Sequence, residues 1–144
     1  MEERELLRQL MRFYAGLDRF YRLTIRQTGL PESQFWILYY MDLSEGPVSL
    51  AGMVKYSGMP KQTVHSALKK MLAAGTVRPV NEKQSREGYE LTELGREEVQ
   101  KHVHHVQEEE LLLLTRMSGG QPERLTESMT RALRELDQDE WMTE

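Results

Sequence analysis

The sequence predicts a mainly α-helical chain with one small β-hairpin, and three observations lead to this prediction. Apolar residues recur at steps of three and four over most of the 144 residues, which is the spacing of amphipathic helices. Glycine and proline divide these stretches into segments of helical length. Only the segment "TVRPVNEKQSREGYELT" has two short strand-like runs on either side of a polar tip.

The first half of the chain predicts four helices. Residues 2–27 form a long amphipathic helix, and residues 31–43 form a second helix that is rich in aromatic side chains. Residues 49–58 and 60–75 then predict two short helices separated by a tight turn. The residues that mark the boundaries are Gly29, Pro31, Ser49 as an N-cap, Gly58, Pro60 and Gly75.

The second half predicts a hairpin and two further helices. Strand-like runs at Val77–Val80 and Tyr89–Leu91 flank the polar tip, and Pro79 indicates that its strand lies at a sheet edge because proline lacks an N–H donor. A long helix is predicted from Thr92 to the "SGG" segment, and a last helix begins near Pro122.

Composition excludes several classes of protein. With 39% hydrophobic residues the chain fits one ordinary domain, and no apolar run approaches the ~18–20 residues that cross a bilayer. The start "MEERELLRQL" is charged, so we expect a cytoplasmic protein without a membrane partner. The absence of cysteine excludes disulfides and thiol chemistry, and no catalytic motif is present, so neither an enzyme nor a cofactor is expected.

Charge is unevenly distributed along this acidic chain. The net charge is −4, but residues 46–86 contain seven basic residues and one acid, a net charge of +6. The remaining residues, with 12 basic and 22 acidic side chains, have a net charge of −10. A polyanion responds to charge within about one Debye length, roughly 8–10 Å, so a net acidic chain is compatible with DNA binding.

The two short helices and the hairpin together form the pattern of a winged helix-turn-helix. On a helical wheel, the fourth helix has an apolar side and an opposite side without acids. The apolar side consists of Val64, Ala67, Leu68 and Met71. The opposite side consists of Gln62, Ser66 and Lys69, flanked by Thr63, His65 and Lys70.

These polar side chains predict a DNA-binding helix, because they donate hydrogen bonds to base edges or phosphates. A simple solvated helix face is the alternative interpretation. DNA is favoured by the basic residues at the helix start and in the wing tip. The complete set of predicted DNA-binding residues is Pro60, Lys61, Gln62, Thr63, His65, Ser66, Lys69, Lys70, Lys83 and Arg86.

The segment "SLAGMVKYSGMPKQTVHSALKKMLAAGTV", followed by a hairpin and "LTELG", resembles the MarR family of winged helix-turn-helix bacterial transcription regulators. The matching residues are Lys61, Thr63, Val64, Gly75, Val77, Leu91, Thr92 and Gly95. The wing departs from the family pattern, because "EKQSREG" lacks the aspartate of the usual Asp-x-Arg arrangement.

The resemblance implies a single domain over residues 1–144 that binds a pseudo-palindromic promoter site as a homodimer. Residues 31–92 would form the winged helix-turn-helix lobe, and the N- and C-terminal helices at residues 2–28 and 93–139 would form the dimerisation region. It also implies a repressor that a small aromatic effector releases, with Arg86 as the minor-groove arginine of the wing.

Two further groups of residues are candidates for ligand binding. The aromatic side chains that would line an effector pocket are Tyr14, Tyr21, Trp36, Tyr39 and Tyr40. In "KHVHHVQEEE", His104 with Glu108 and His105 with Glu109 stand at i,i+4, a spacing that suits a cation but is also common in solvated helices. We therefore expect no metal site, with these four residues as weak candidates.

Two alternative functions remain open from the sequence. One is a helical dimer that acts as a protein-interaction module without binding DNA. The other is a metal-responsive regulator of the same fold.

Overall fold

The computed structural model describes residues 1–80 and 88–137 and confirms a mainly α-helical chain with one antiparallel hairpin. The chain divides into two compact units, Met1–Val106 and Gln107–Glu144. In chain order the elements are α1 (Glu3–Thr28), α2 (Glu32–Leu43), α3 (Leu50–Ser57), α4 (Lys61–Ala74), β1 (Val77–Val80), β2 (Gly88–Leu91), α5 (Glu93–Glu98), a π-helical turn (Val99–Val103), α6 (His104–Met117) and α7 (Pro122–Asp137).

Local chemistry defines the helix pair formed by α3 and α4. The side chain of Ser49 accepts a hydrogen bond from the backbone N–H of Gly52 at 2.9 Å, so the predicted N-cap of α3 is confirmed. Gly58 follows α3 with φ of 69°, and Gly75 follows α4 with φ of 81°. Both residues adopt the left-handed conformation that glycine reaches without a Cβ clash, and both helices end there.

Helix α4 is fixed to the rest of the first unit by its apolar side. Val64 is fully buried, and Ala67, Leu68 and Met71 are each at most 3% exposed. These four residues belong to one core cluster with Phe35 and its neighbours in α2. The predicted apolar side of α4 is thus confirmed, and its rotation about its own axis is determined by packing.

The hairpin joins the helix pair through Val48, the residue before the N-cap of α3. Val48 exchanges two backbone hydrogen bonds of 2.9 Å with Tyr89 in β2, while β1 pairs with β2 on its other side. Strand β1 therefore lies at the edge, as Pro79 predicted, because proline cannot donate to a further strand.

A junction at Thr92 links the end of α4, the end of β2 and the start of α5. The backbone N–H of Thr92 donates to the carbonyl of Thr76 at 3.1 Å, and its hydroxyl donates to the carbonyl of Gly75 at 2.5 Å. The same hydroxyl oxygen accepts from the N–H of Gly95 at 3.1 Å and so caps α5. The three elements consequently meet within one set of hydrogen bonds.

The long helix predicted after Thr92 is continuous as a helical backbone but not uniform. Residues Val99–Val103 form a π-helical turn between α5 and α6, and both Val99 and Val103 are buried. The segment contains neither glycine nor proline, the usual sequence markers of an irregular helix, so the sequence does not predict this turn.

The second unit contains the rest of α6 and helix α7. Along α7 no residue is buried, and Met129, Leu133 and Leu136 are between 40% and 58% exposed. Throughout the described ranges 1–80 and 88–137, no helix combines the length and the apolar character that crossing a membrane requires.

We predict that Gly95→Ala destabilises the protein, because an added Cβ would lie 2.1 Å from the carbonyl oxygen of Thr76. The loss should be about 1–3 kcal/mol in the free energy of unfolding, measured by urea denaturation. Gly16→Ala in α1 is the matched control, since a Cβ there meets no atom within 4 Å. It should stabilise the helix by about 0.5–1 kcal/mol. Equal stability of the two variants would contradict the close approach of Gly95 to the carbonyl oxygen of Thr76.

Candidate nucleic-acid interface

The side of α4 opposite the core is polar and exposed. All seven predicted DNA-binding residues of this helix are exposed: Lys61, Gln62, Thr63, His65, Ser66, Lys69 and Lys70. The set combines three lysines with neutral hydrogen-bonding groups and contains no acid. The structure therefore brings these residues onto one surface with a positive charge.

The start of α4 also presents backbone donors. Pro60 occupies the N-cap position, where its carbonyl accepts from the N–H of Val64 at 3.1 Å, but no side chain caps the first turn. Uncapped N–H groups at a helix start favour anions such as phosphate. The neighbouring Lys61 is exposed and adds a positive charge there.

The wing contributes less positive charge than its sequence suggests. Arg78 lies directly opposite Glu90 in the hairpin, and its Nε and Nη2 atoms both lie 2.6 Å from the Oε1 of that acid. Glu90 is outside the basic segment in sequence, so this neutralising pair is visible only in the structure. The predicted contacts Lys83 and Arg86 lie outside the described residues.

The predicted effector residues do not all line one cavity. Tyr21, Trp36, Tyr39 and Tyr40 form a chain of contacting rings with centroid distances of 5.0–6.0 Å. Tyr14 lies near the middle of α1 and is 67% exposed.

A cleft of about 470 Å³ lies between the end of α2 and helix α3. Of the predicted effector residues it includes only Tyr40. Its other aromatic side chain is Tyr56, and Leu43, Pro47 and the hydroxyl groups of Ser44 and Ser49 complete much of the lining. Tyr56 was not predicted as a site residue, since a single exposed aromatic residue in a short helix carries no signal of a cavity.

Two histidines of the histidine-rich segment, His102 and His104, lie near acids outside the predicted i,i+4 pairs. His104 Nε2 lies 3.9 Å from Asp42 Oδ1, and His102 Nε2 lies 3.3 Å from Glu98 Oε2. Among residues 1–80 and 88–137, no group of three or more histidine, aspartate or glutamate side chains could hold a metal ion. The weak candidates His104, His105, Glu108 and Glu109 therefore gain no further ligand in the described part of the chain.

Comparison with solved structures identifies the fold. The chain is similar to a MarR/EmrR family transcriptional regulator from Acinetobacter sp. ADP1, with 17% identity, a TM-score of 0.73, and coverage of 95% of this chain and 98% of that one. It is also similar to a MarR family regulator from Neisseria meningitidis, with 19% identity, a TM-score of 0.71 and 95% coverage of both chains.

A third similar structure is Staphylococcus aureus MarR in complex with salicylate and kanamycin. The identity is 14% and the TM-score 0.67, over 94% of this chain and 93% of that one. No curated protein sequence gives a significant match.

The sequence itself supplies independent evidence in the region of the helix pair. Residues 28–87 match the model of the MarR family. This range includes α2, α3, α4 and β1, which carry the exposed polar surface described above. The chain thus has the winged helix-turn-helix fold of solved MarR-family transcription regulators, and its residues 28–87 match the model of that family.

Proposed function

We propose that this protein is a DNA-binding transcription regulator that occupies a pseudo-palindromic promoter site as a homodimer and is released by a small aromatic effector. The observation that supports DNA binding most strongly is the exposed side of α4, which combines hydrogen-bond donors with lysines and contains no acid. A helix about 10–12 Å in diameter fits a B-DNA major groove about 12 Å wide.

The roles of the α4 side chains follow from their positions. Gln62, Ser66 and Lys69 point directly away from the core, so they face base edges when the helix enters the groove. Thr63 and Lys70 lie on one flank and His65 on the other, toward the phosphate walls. The −10 charge of the rest of the chain would repel DNA elsewhere and so favour this one orientation.

Exposed apolar side chains support the homodimer. In the first unit, Leu6, Leu7, Leu10 and Met11 of α1 are each more than half exposed. In the second unit, Leu133 of α7 is 58% exposed. Single proteins rarely leave such helix sides uncovered, and a second copy would bury them. The two recognition helices would then reach half-sites about 34 Å apart, one turn of DNA.

The cleft between Tyr40 and Tyr56 supports an effector site. It has two aromatic rings and two serine residues whose hydroxyl groups also bond to the backbone of Gly46 and Gly52, a combination that suits a small planar molecule with polar substituents. Val48, which also lines it, is the residue that bonds to Tyr89 in the hairpin. A ligand that displaces Val48 would therefore shift the hairpin, and α4 with it, out of register with DNA.

We predict that Lys69→Glu weakens DNA binding at least about tenfold and lowers the slope of log affinity against log salt by about one. The DNA is a double-stranded fragment selected by the wild-type protein from a random library, and affinity is measured by fluorescence anisotropy. Lys101→Glu is the control, because it makes the same charge change at an exposed residue outside α4. An equal loss of affinity in the two variants would indicate that DNA responds only to the net charge of the protein and not to α4. If the wild-type protein selects no DNA, the alternative of a protein-interaction module would be favoured.

Leu133→Glu should shift the dimer toward monomer by about tenfold to a hundredfold in dissociation constant, because it places a charge where an apolar side chain would be buried. Analytical ultracentrifugation measures this shift. Thr130→Glu introduces the same side chain on the polar side of α7 and should leave the dimer intact. A monomeric wild-type protein, or equal behaviour of the two variants, would exclude this dimer surface.

Salicylate should raise the melting temperature of the wild-type protein by a few degrees at saturation, since it binds the folded state. Tyr56→Ala should remove most of this shift. Tyr14→Ala is a closely matched control, because Tyr14 and Tyr56 are 67% and 66% exposed and only Tyr56 lines the cleft. An equal shift in all three proteins, or none in the wild type, would reject salicylate binding at this cleft.

A further inference from the structure

A second, polar cleft of about 320 Å³ lies between the start of α2 and one flank of α4. From α2 it is lined by Ser33 and Gln34. From α4 the polar lining residues are Gln62, Thr63, Ser66 and Lys70. Ser33 and Gln34 carry no signal of this cleft in the sequence, because the two segments that line it are almost thirty residues apart in the chain.

The chemistry of this cleft suits an anion. Each of the six polar side chains can donate a hydrogen bond, one of them is a cation, and none is an acid. Both α2 residues are half-buried, and within residues 1–80 and 88–137 neither side chain takes part in a hydrogen bond or an ion pair. The acid Glu32 is their neighbour in sequence but is exposed outside the lining.

The position of the cleft relative to α4 indicates which anion. Gln62 and Ser66 belong both to the cleft and to the outward side of α4, so the two surfaces are continuous. A helix that fills the major groove has its flanks against the phosphate walls. The flank with Thr63 and Lys70 therefore brings the cleft to one sugar-phosphate strand.

We propose that Ser33 and Gln34 bind a DNA backbone phosphate at this cleft and so extend the DNA contact from the helix-turn-helix to α2. This inference rests on the proposed function. Serine and glutamine commonly donate to phosphate oxygens, and such contacts fix the register of a protein on the duplex without reading its sequence. Neutral donors release no counterion, so the contact contributes affinity without contributing to salt dependence.

The test compares Ser33→Ala/Gln34→Ala with the wild-type protein on the selected DNA fragment. Affinity should fall about tenfold on every DNA sequence while the salt slope stays constant. Gln27→Ala, an exposed glutamine at the end of α1, should have no effect. Neutral methylphosphonates placed one at a time along the backbone should weaken the wild-type protein at several linkages, and at one of these per half-site the loss should be smaller in the double variant.

A gain-of-function variant makes the result independent of folding. Gln34→Lys places a cation in the cleft and should raise affinity several-fold and steepen the salt slope by about one per bound chain. The inference is wrong if Ser33→Ala/Gln34→Ala binds DNA within twofold of wild type and is weakened as much as wild type by every methylphosphonate. It is also wrong if Gln34→Lys does not raise the affinity. If Lys69→Glu nevertheless loses DNA binding, the proposed function still holds and only the phosphate contact of α2 is rejected. If the wild-type protein binds no DNA, the proposed function and the phosphate contact are both wrong.

Discussion

The contact between Gly95 and the carbonyl of Thr76 is the constraint on which the arrangement of the first unit depends. No side chain fits between them, so α5 begins directly against the turn that ends α4. Thr92 connects the same turn to β2 with hydrogen bonds from both its backbone and its hydroxyl group. The direction of α4, the root of the hairpin and the start of α5 are consequently determined together, while packing of Val64 and its neighbours determines which side of α4 faces outward.

This arrangement explains how an acidic protein presents a basic surface. The three lysines of α4 are exposed on the side that the core does not use, and the described part of that helix contains no acid. Glu90 neutralises Arg78 at the hairpin, so this arginine adds little to the positive potential at α4. Under the proposed function, orientation on DNA would depend on a few charges in fixed positions and not on net charge.

Local signals made most of the fold predictable from the sequence. The Ser49 cap, the glycines that end α3 and α4, and the apolar period of α4 depend on neighbouring residues, so the sequence displays them. The π-helical turn, the Arg78–Glu90 pair, and the clefts at Tyr56 and Gln34 depend on packing or on residues distant in the chain. Family resemblance indicated that Gly95 matters, but only the structure gives the reason, which is the approach of the Thr76 carbonyl.

Lysine footprinting is the most direct measurement of the central claim that α4 is the DNA-binding surface. The chain has six lysines, three of them in α4, and mass spectrometry reports the acetylation rate of each one with and without the selected DNA. DNA should slow the modification of Lys61, Lys69 and Lys70, and leave that of Lys101 unchanged. Unchanged reactivity of the three α4 lysines in a DNA complex, with protection at Lys101, would contradict the account.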